Sequence, residues 1–379
     1  MNIPKLRFKE FTDEWNIHKL KDLCTTCGGG TPSKSITEYW TGNIPWISSS
    51  DLESNSIFKI NISKFITTKA ISESATKIIP PNSILIVSRV GVGKVAINYN
   101  ELCTSQDFTN LINIKSNPIF LTYLLKIKME KQIQQTQGTS IKGITTNDIK
   151  NINCTLPNIK EQEKIATFLT TVDKKITNLE NTITSLENQK KGLLQQIFSQ
   201  KLRFKDKNGN NYPEWEKNKL KNLCTYKTSS LTTKDIDING NYQLFDANNA
   251  IGTVSSYISN KPYISIIKDG AGVGRIRLLK PYTNCVSTLG ILLNTDTTTI
   301  QYIYYLLQQV NFSIYIVGST IPHIYYKDYS SIILNIPCLE EQTKIADFLS
   351  AFDRKLDNQK AQLEYWKQIK KGLLQQMFV

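Results

Sequence analysis

Two glycine-rich turns carry the residue types that could do chemistry. Arg89-Val90-Gly91-Val92-Gly93-Lys94 follows the apolar run Ser83-Ile84-Leu85-Ile86-Val87, and Gly270-Ala271-Gly272-Val273-Gly274-Arg275-Ile276-Arg277 follows Tyr263-Ile264-Ser265-Ile266-Ile267. Glycine lets backbone N–H groups approach a phosphate closely, and a neighbouring Lys or Arg adds the counter-charge. A nucleotide P-loop is excluded, because it needs a glycine where Ser88 stands and a hydroxyl where Val95 stands. The alternative is a hairpin turn that only connects strands. A second pair lies 180 residues apart, Gly138-Thr139-Ser140-Ile141-Lys142-Gly143 and Gly318-Ser319-Thr320-Ile321-Pro322-His323. Small hydroxyl residues beside Lys142 or His323 suit phosphate and base-edge contacts, and the same hydroxyls suit helix N-caps.

Other chemistry finds little material. Cys24-Thr25-Thr26-Cys27 is a lone C-x-x-C, and zinc needs two more ligands; His18 and His323 are the only histidines. Seven scattered cysteines do not form a disulfide framework, so the sequence predicts thiols without a metal.

The elements that must position these turns occur twice. Leu6-Arg7-Phe8-Lys9 returns as Leu202-Arg203-Phe204-Lys205, and Lys19-Leu20-Lys21-Asp22-Leu23-Cys24 as Lys219-Leu220-Lys221-Asn222-Leu223-Cys224. Glu161-Gln162-Glu163-Lys164-Ile165-Ala166 returns as Glu341-Gln342-Thr343-Lys344-Ile345-Ala346, and Lys190-Lys191-Gly192-Leu193-Leu194 as Lys370-Lys371-Gly372-Leu373-Leu374. Each copy holds a β-rich head with interspersed helices, then one long predicted helix entered just after Pro157 or Pro337. The boundaries are 1–158 and 201–338 for the heads, 159–200 and 339–379 for the helices.

Both helices carry apolar residues at alternating spacings of 4 and 3, the signal of a coiled-coil seam. The first seam includes Leu169, Val172, Ile176, Leu179, Ile183 and Leu186; the second includes Leu349, Phe352, Leu356, Leu363 and Trp366. Lys190, Gln359 and Lys370 interrupt the seams and can fix register. A pseudo-twofold arrangement makes the helices antiparallel, a spacer of roughly 60 Å between two heads. The rival reading is an amphipathic helix packed on its own head.

The formal charge is +14. Residues 1–158 hold 18 basic against 12 acidic side chains and residues 201–338 hold 15 against 9, while each helix segment exceeds balance by one. The basic excess thus belongs to the heads, and basic surface attracts polyanions, nucleic acid above all. No run of about 18 apolar residues predicts a membrane span. With no signal-peptide core after Met1, the expected location is the cytoplasm.

In these features the chain resembles the specificity subunits of type I restriction–modification systems. The resemblance is carried by the doubled head-plus-helix plan and by Leu156-Pro157-x-x-x-Glu161-Gln162-x-Lys164-Ile165-Ala166. The helix ends Lys191-Gly192-Leu193-Leu194-Gln195-Gln196 and Lys371-Gly372-Leu373-Leu374-Gln375-Gln376 also match, as do Gly29-Gly30-Thr31-Pro32-Ser33 and Ile44-Pro45-Trp46-Ile47-Ser48. The second head lacks those last two stretches and has Gly240-Asn241-Tyr242-Gln243-Leu244-Phe245-Asp246-Ala247-Asn248 instead. The resemblance implies mixed α+β target-recognition domains in two pseudo-symmetric copies, separated by two long antiparallel coiled-coil helices. It implies double-stranded DNA as ligand, one half of an asymmetric bipartite site per head. It further implies two methyltransferase subunits docked on the helices and two restriction subunits in the full complex. N6-adenine methylation, with S-adenosylmethionine, ATP and Mg bound by those partners, is then outside this chain. Consistently, Ile79-Pro80-Pro81-Asn82 does not fit an adenine-methyltransferase motif. The residues expected near DNA are Ser48, Arg89, Gly91, Gly93, Lys94, Gly138, Thr139, Ser140 and Lys142 in the first head. In the second they are Asn248, Gly272, Gly274, Arg275, Arg277, Ser319, Thr320 and His323.

Overall fold

The computed structural model describes residues 3–135 and 143–379. It divides into two compact units, Met1–Glu180 with Gln362–Val379, and Asn181–Ala361. Each unit therefore holds one head and parts of both long helices.

In the first unit, the run of apolar residues at 84–87 becomes the strand Ile84–Val87, buried on both faces. Side chains alternate across a strand. Ile84 and Ile86 accordingly join the core beneath the helix Pro118–Gln135, with Phe120, Tyr123 and Leu124. Leu85 and Val87 point the other way, into a cluster with Ile47, Ile79 and Phe108. The strand sits in an antiparallel sheet ordered Thr25–Gly28, Phe108–Ile112, Ile84–Val87, Val95–Ile97. A second four-stranded sheet contains Ile44–Ile47 running parallel to Leu102–Thr104. The second unit repeats the scheme. Its antiparallel sheet is ordered Cys224–Thr228, Leu289–Asn294, Tyr263–Ile267, Ile276–Leu279, and its smaller sheet pairs Tyr242–Phe245 in parallel with Thr283–Cys285.

The long helices span Ile159–Phe198 and Leu339–Gln376. Their shared Glu-Gln start is an anchor. Glu161, fully buried, takes a two-pronged hydrogen bond from Arg7 (2.8 and 2.7 Å), and Glu341 takes the same from Arg203 (2.9 and 2.9 Å). Gln162 accepts from the Asn117 backbone N–H (3.0 Å) and donates to the Pro157 carbonyl (2.8 Å); Gln342 does so with Thr299 (3.0 Å) and Pro337 (3.0 Å). The repeated Leu-Arg-Phe-Lys segments thus exist to hold the helix starts.

The seam residues divide between two environments. Ile165, Ala166 and Leu169 belong to the core of the first head; Ile345, Ala346 and Leu349 belong to that of the second. Elsewhere the helices meet each other, and their ion pairs show an antiparallel sense within each unit. In the first unit Asp173 pairs with Lys370 (2.5 Å) and Glu180 with Lys367 (3.1 Å). In the second, Glu187 pairs with Lys360 (2.7 Å) and Lys190 with Asp353 (2.5 Å). From Leu169 to Leu186 the first helix's seam is buried throughout, but Phe352, Leu363 and Trp366 of the second are only half-buried. Near its end the first helix turns Leu194 rather than Leu193 into the core of the second head, as a 3.6-residue helix drifts against a 3.5-residue repeat.

The seam lysines have specific partners. Asp173 also accepts from the Tyr123 hydroxyl (2.5 Å), and Asp353 from the Tyr305 hydroxyl (2.6 Å). Each lysine–aspartate–tyrosine trio ties both long helices to the helix of one head, so the polar interruptions are register locks.

Candidate nucleic-acid interface

The glycine turns have the same geometry in both heads. Gly91 and Gly93 have φ of 80° and 94°, Gly272 and Gly274 of 82° and 86°, a region that side-chain-bearing residues rarely adopt. The Gly93 N–H donates to the Val87 carbonyl (3.0 Å) and the Val87 N–H to that of Lys94 (2.9 Å); Gly274, Ile267 and Arg275 repeat this at 2.9 and 3.0 Å. A Cβ on Gly93 would stand 2.0 Å from Ile133 Cδ1, and one on Gly274 2.7 Å from Phe312 Cβ. Positive φ favours glycine at the second position of each turn, and in the second head Phe312 also leaves no room for a Cβ.

The basic residue after each turn is engaged with protein. Lys94 donates from Nζ to the carbonyls of Ser49 (2.9 Å) and Leu52 (2.8 Å). Arg275 donates to the Ala247 carbonyl (2.5 Å) and Asn248 Oδ1 (2.8 Å), and Arg277 to the carbonyls of Ala247 (3.3 Å) and Asn248. Both fasten the turn to the loop after the parallel strand. Ser48 opens that loop in the first head, where its N–H and hydroxyl both donate to Asp51 Oδ2 (2.7 Å each). In the second head, backbone N–H donation from Asn249, then from Asn248, and nearby Arg277 and Arg275 hold the Asp246 carboxyl below the usual carboxylate range. Its ionised form balances the two guanidinium groups.

The structure brings the predicted loops together within each head. In the first, the Ile144 N–H donates to the Ser88 carbonyl (2.7 Å), which sets Gly143 beside Arg89. In the second, Ile324 donates to Lys268 (2.9 Å) and Gly270 to Pro322 (2.9 Å), so His323 lies beside the glycine turn. His323 Nδ1 is 3.2 Å from the Ile321 carbonyl, and the ring packs on Tyr325. Ser319 and Thr320 are exposed in the short reversal between Val317 and His323. Gly138, Thr139, Ser140 and Lys142 lie outside the described residues.

Two clefts flank these loops in the first head. One, of about 1040 Å³, is lined by Gly29, Arg89, Gly91, Lys94, Gln106 and Gly143 among others. Another, of about 590 Å³, is lined by Thr31, Lys34, Trp40, Lys64, Ser48 and Gln106 among others. Of these, Thr31 lies in the Gly-Gly-Thr-Pro-Ser stretch that the second head lacks, while nothing in the sequence marks Gln106, Lys34 or Lys64. Five buried cysteines hold their thiols protonated at neutral pH. Burial pushes Cys24, Cys103 and Cys285 up to about 11, and Cys154 and Cys224 up to about 12. No helix among the described residues is long and apolar enough to cross a membrane.

Comparison with known proteins fits this doubled arrangement. The model of the type I restriction modification DNA specificity domain matches residues 12–188 and again 212–365. The specificity subunit of the type I restriction enzyme MjaIX from Methanocaldococcus jannaschii is 39% identical over 173 residues, 44% of this chain and 39% of that relative. The chain therefore spans about two fifths of that protein's length in the match. The MjaVIII specificity subunit of the same organism aligns more fully, at 24% identity over 98% of this chain and 94% of its own length. The Escherichia coli EcoR124I/EcoR124II specificity subunit is 32% identical over 47% of this chain and 44% of its own length. The crystal structure of a type I S subunit from M. genitalium superposes with a TM-score of 0.71 over 100% of this chain and 99% of that one, at 19% identity, which supports the fold. With both heads and most of both long helices matched, this chain belongs to the family of type I restriction–modification DNA specificity domains.

Proposed function

We propose that this chain is the non-catalytic specificity subunit of a type I restriction–modification complex. Each head, over 1–158 and 201–338, binds one half of an asymmetric bipartite duplex site. The long helices, over 159–200 and 339–379, set the spacing as a coiled-coil pair and dock two methyltransferase subunits. These partners, with two restriction subunits, supply N6-adenine methylation and cleavage and bind S-adenosylmethionine, ATP and Mg; the complex works in the cytoplasm. One observation carries this reading: the same hydrogen-bonded loop cluster occurs twice, in two basic heads, with different exposed side chains each time. That is the arrangement expected of two readers of different sequences. The loops around Ser48, Arg89–Lys94 and Gly143 face DNA in the first head, and those around Asn248, Gly272–Arg277 and Ser319–His323 in the second. Lys94 and Arg275 hold the loops in shape, which leaves exposed Arg89 as the phosphate-contacting cation of its turn.

The test is co-expression with a type I methyltransferase subunit, then sequencing-based mapping of methylated adenines. A stable complex that methylates one bipartite motif is expected. Absence of any complex would overturn the docking role, and a complex that methylates no motif would overturn the reading role. In the active complex, Arg89→Ala should lower the salt slope of binding by about one and weaken binding evenly across sequences.

A further inference from the structure

Because the heads share a scaffold, a matched position with unlike side chains is where they can read different bases. The segment before the sheet's second strand is such a position. Ser105 donates its N–H to the Ile47 carbonyl (2.9 Å) and Ser88 donates to Asp107 (2.8 Å); in the second head Val286 donates to Phe245 (3.0 Å) and Lys268 to Thr288 (3.0 Å). Between these fixed points stands Gln106 in one head and Ser287 in the other. Gln106 is exposed and lines both clefts.

The residue that touches Gln106 changes with it. Strand register places Gly28 opposite Thr109 and Thr228 opposite Gly290, so Thr31 of the first head corresponds to Leu231 of the second. The Thr31 hydroxyl donates to Gln106 Oε1. Leu231 has no hydroxyl to give; its carbonyl instead accepts from the Ser287 backbone N–H (2.7 Å). Gly29 and Gly30 make the first contact possible, since a Cβ on Gly29 would stand 2.1 Å from the Ser105 carbonyl oxygen and one on Gly30 2.4 Å from the Ala75 backbone. The second head has Ser229 and Ser230 there. Trp46 locks the loop by donating to the Gly30 carbonyl (2.9 Å). Reader, holder and permissive glycines therefore occur together in one head and are replaced together in the other.

A glutamine amide sets an acceptor beside a donor in one plane, the complement of the N6 and N7 edge of adenine in the major groove. A holder that fixes the amide removes rotamer freedom before DNA arrives. We propose that Gln106, oriented by Thr31, reads an adenine in the half-site of the first head, and that Ser287 gives the second head a different preference at the matched position. This rests on the DNA-reading role proposed above.

The experiment is selection of bound duplexes from a library randomised in both half-sites, using the full chain in complex with a methyltransferase subunit. The unaltered complex should select one bipartite motif. Gln106→Ala should then lose preference at one A·T pair of one half by roughly tenfold to hundredfold, with the other half unchanged. Thr31→Val should give a smaller loss at the same pair, a result that misfolding would not confine to one base. Unchanged motifs in both variants, or an equal loss across both halves, would overturn the proposal. If the unaltered complex selects no sequence, the DNA-reading role itself fails, and this inference fails with it before any variant is compared.

Discussion

The two heads solve one folding problem with different degrees of covalent help. In the second unit the chain passes directly from the end of the first long helix into the Leu-Arg-Phe-Lys segment, and the Leu202 N–H donates to the Gln196 carbonyl (3.0 Å). In the first unit the equivalent contact joins residues from near opposite ends of the sequence, with Leu6 donating to the Gln376 carbonyl (2.9 Å) and Phe378 packed on Phe120. The same anchor is thus tethered in one unit and held only by non-covalent contacts in the other. The first unit compensates with burial. The side chains of Lys370 and Asp173 are 10% and 11% exposed, whereas those of Lys190 and Asp353 are 15% and 32% exposed. The lesson is that sequence symmetry fixes which contacts form, while connectivity and solvent decide how much each is worth.

Breaking the anchors should give the largest difference. Arg7→Ala leaves Glu161 buried without its partner and should cost the first unit about 3–5 kcal/mol. Arg203→Ala should cost the second unit less, because Glu341 keeps a hydrogen bond from Trp215 Nε1 (3.0 Å) and the segment stays tethered. Urea unfolding followed by hydrogen exchange in each unit checks this; an equal or reversed order would refute the role assigned to connectivity.

The register locks should show the same order at smaller scale. Tyr123→Phe removes a buried hydrogen bond to a charged group, worth about 1.5–3 kcal/mol. Tyr305→Phe should cost less, since Asp353 retains partial access to water. Thermal unfolding of the two variants under one buffer sharpens the comparison.

The smallest effect concerns the pairs nearest the middle of the helices. Acidic Glu180 and Glu187 lie on the first helix, and basic Lys360 and Lys367 lie on the second. Reversing Glu187 to lysine should cost about 0.2–1 kcal/mol, less at high salt, and Lys360→Glu should restore it; reversing Glu180 should cost more, and Lys367→Glu should restore only part, because Glu180 also pairs with Lys59 (2.8 Å). A loss that salt does not alter would show that packing, not charge, joins the helices there.

Much of this architecture was legible in the sequence because repetition made it so. The repeated Arg and the repeated Glu-Gln, found far apart in both copies, are the two sides of one buried anchor. Apolar runs at 84–87 and 263–267 announced strands, and the structure buries both runs on both faces. Heptad spacing announced the helices. The turns were legible as turns, because only glycine tolerates their positive φ.

The roles of the charged residues were not legible there. Lys94 and Arg275 read as counter-charges beside glycine; their bonds to carbonyls some 28 to 45 residues earlier in the chain have no local signal. The pairing of Thr31 with Gln106 spans 75 residues, and nothing local marks it. By itself the sequence determined the repeat, the periodicities and the placement of excess charge, because these depend on near neighbours and composition. Tertiary structure alone decided which polar groups meet, because a hydrogen bond is satisfied by whichever partner folding brings within reach, and sequence distance does not limit that choice.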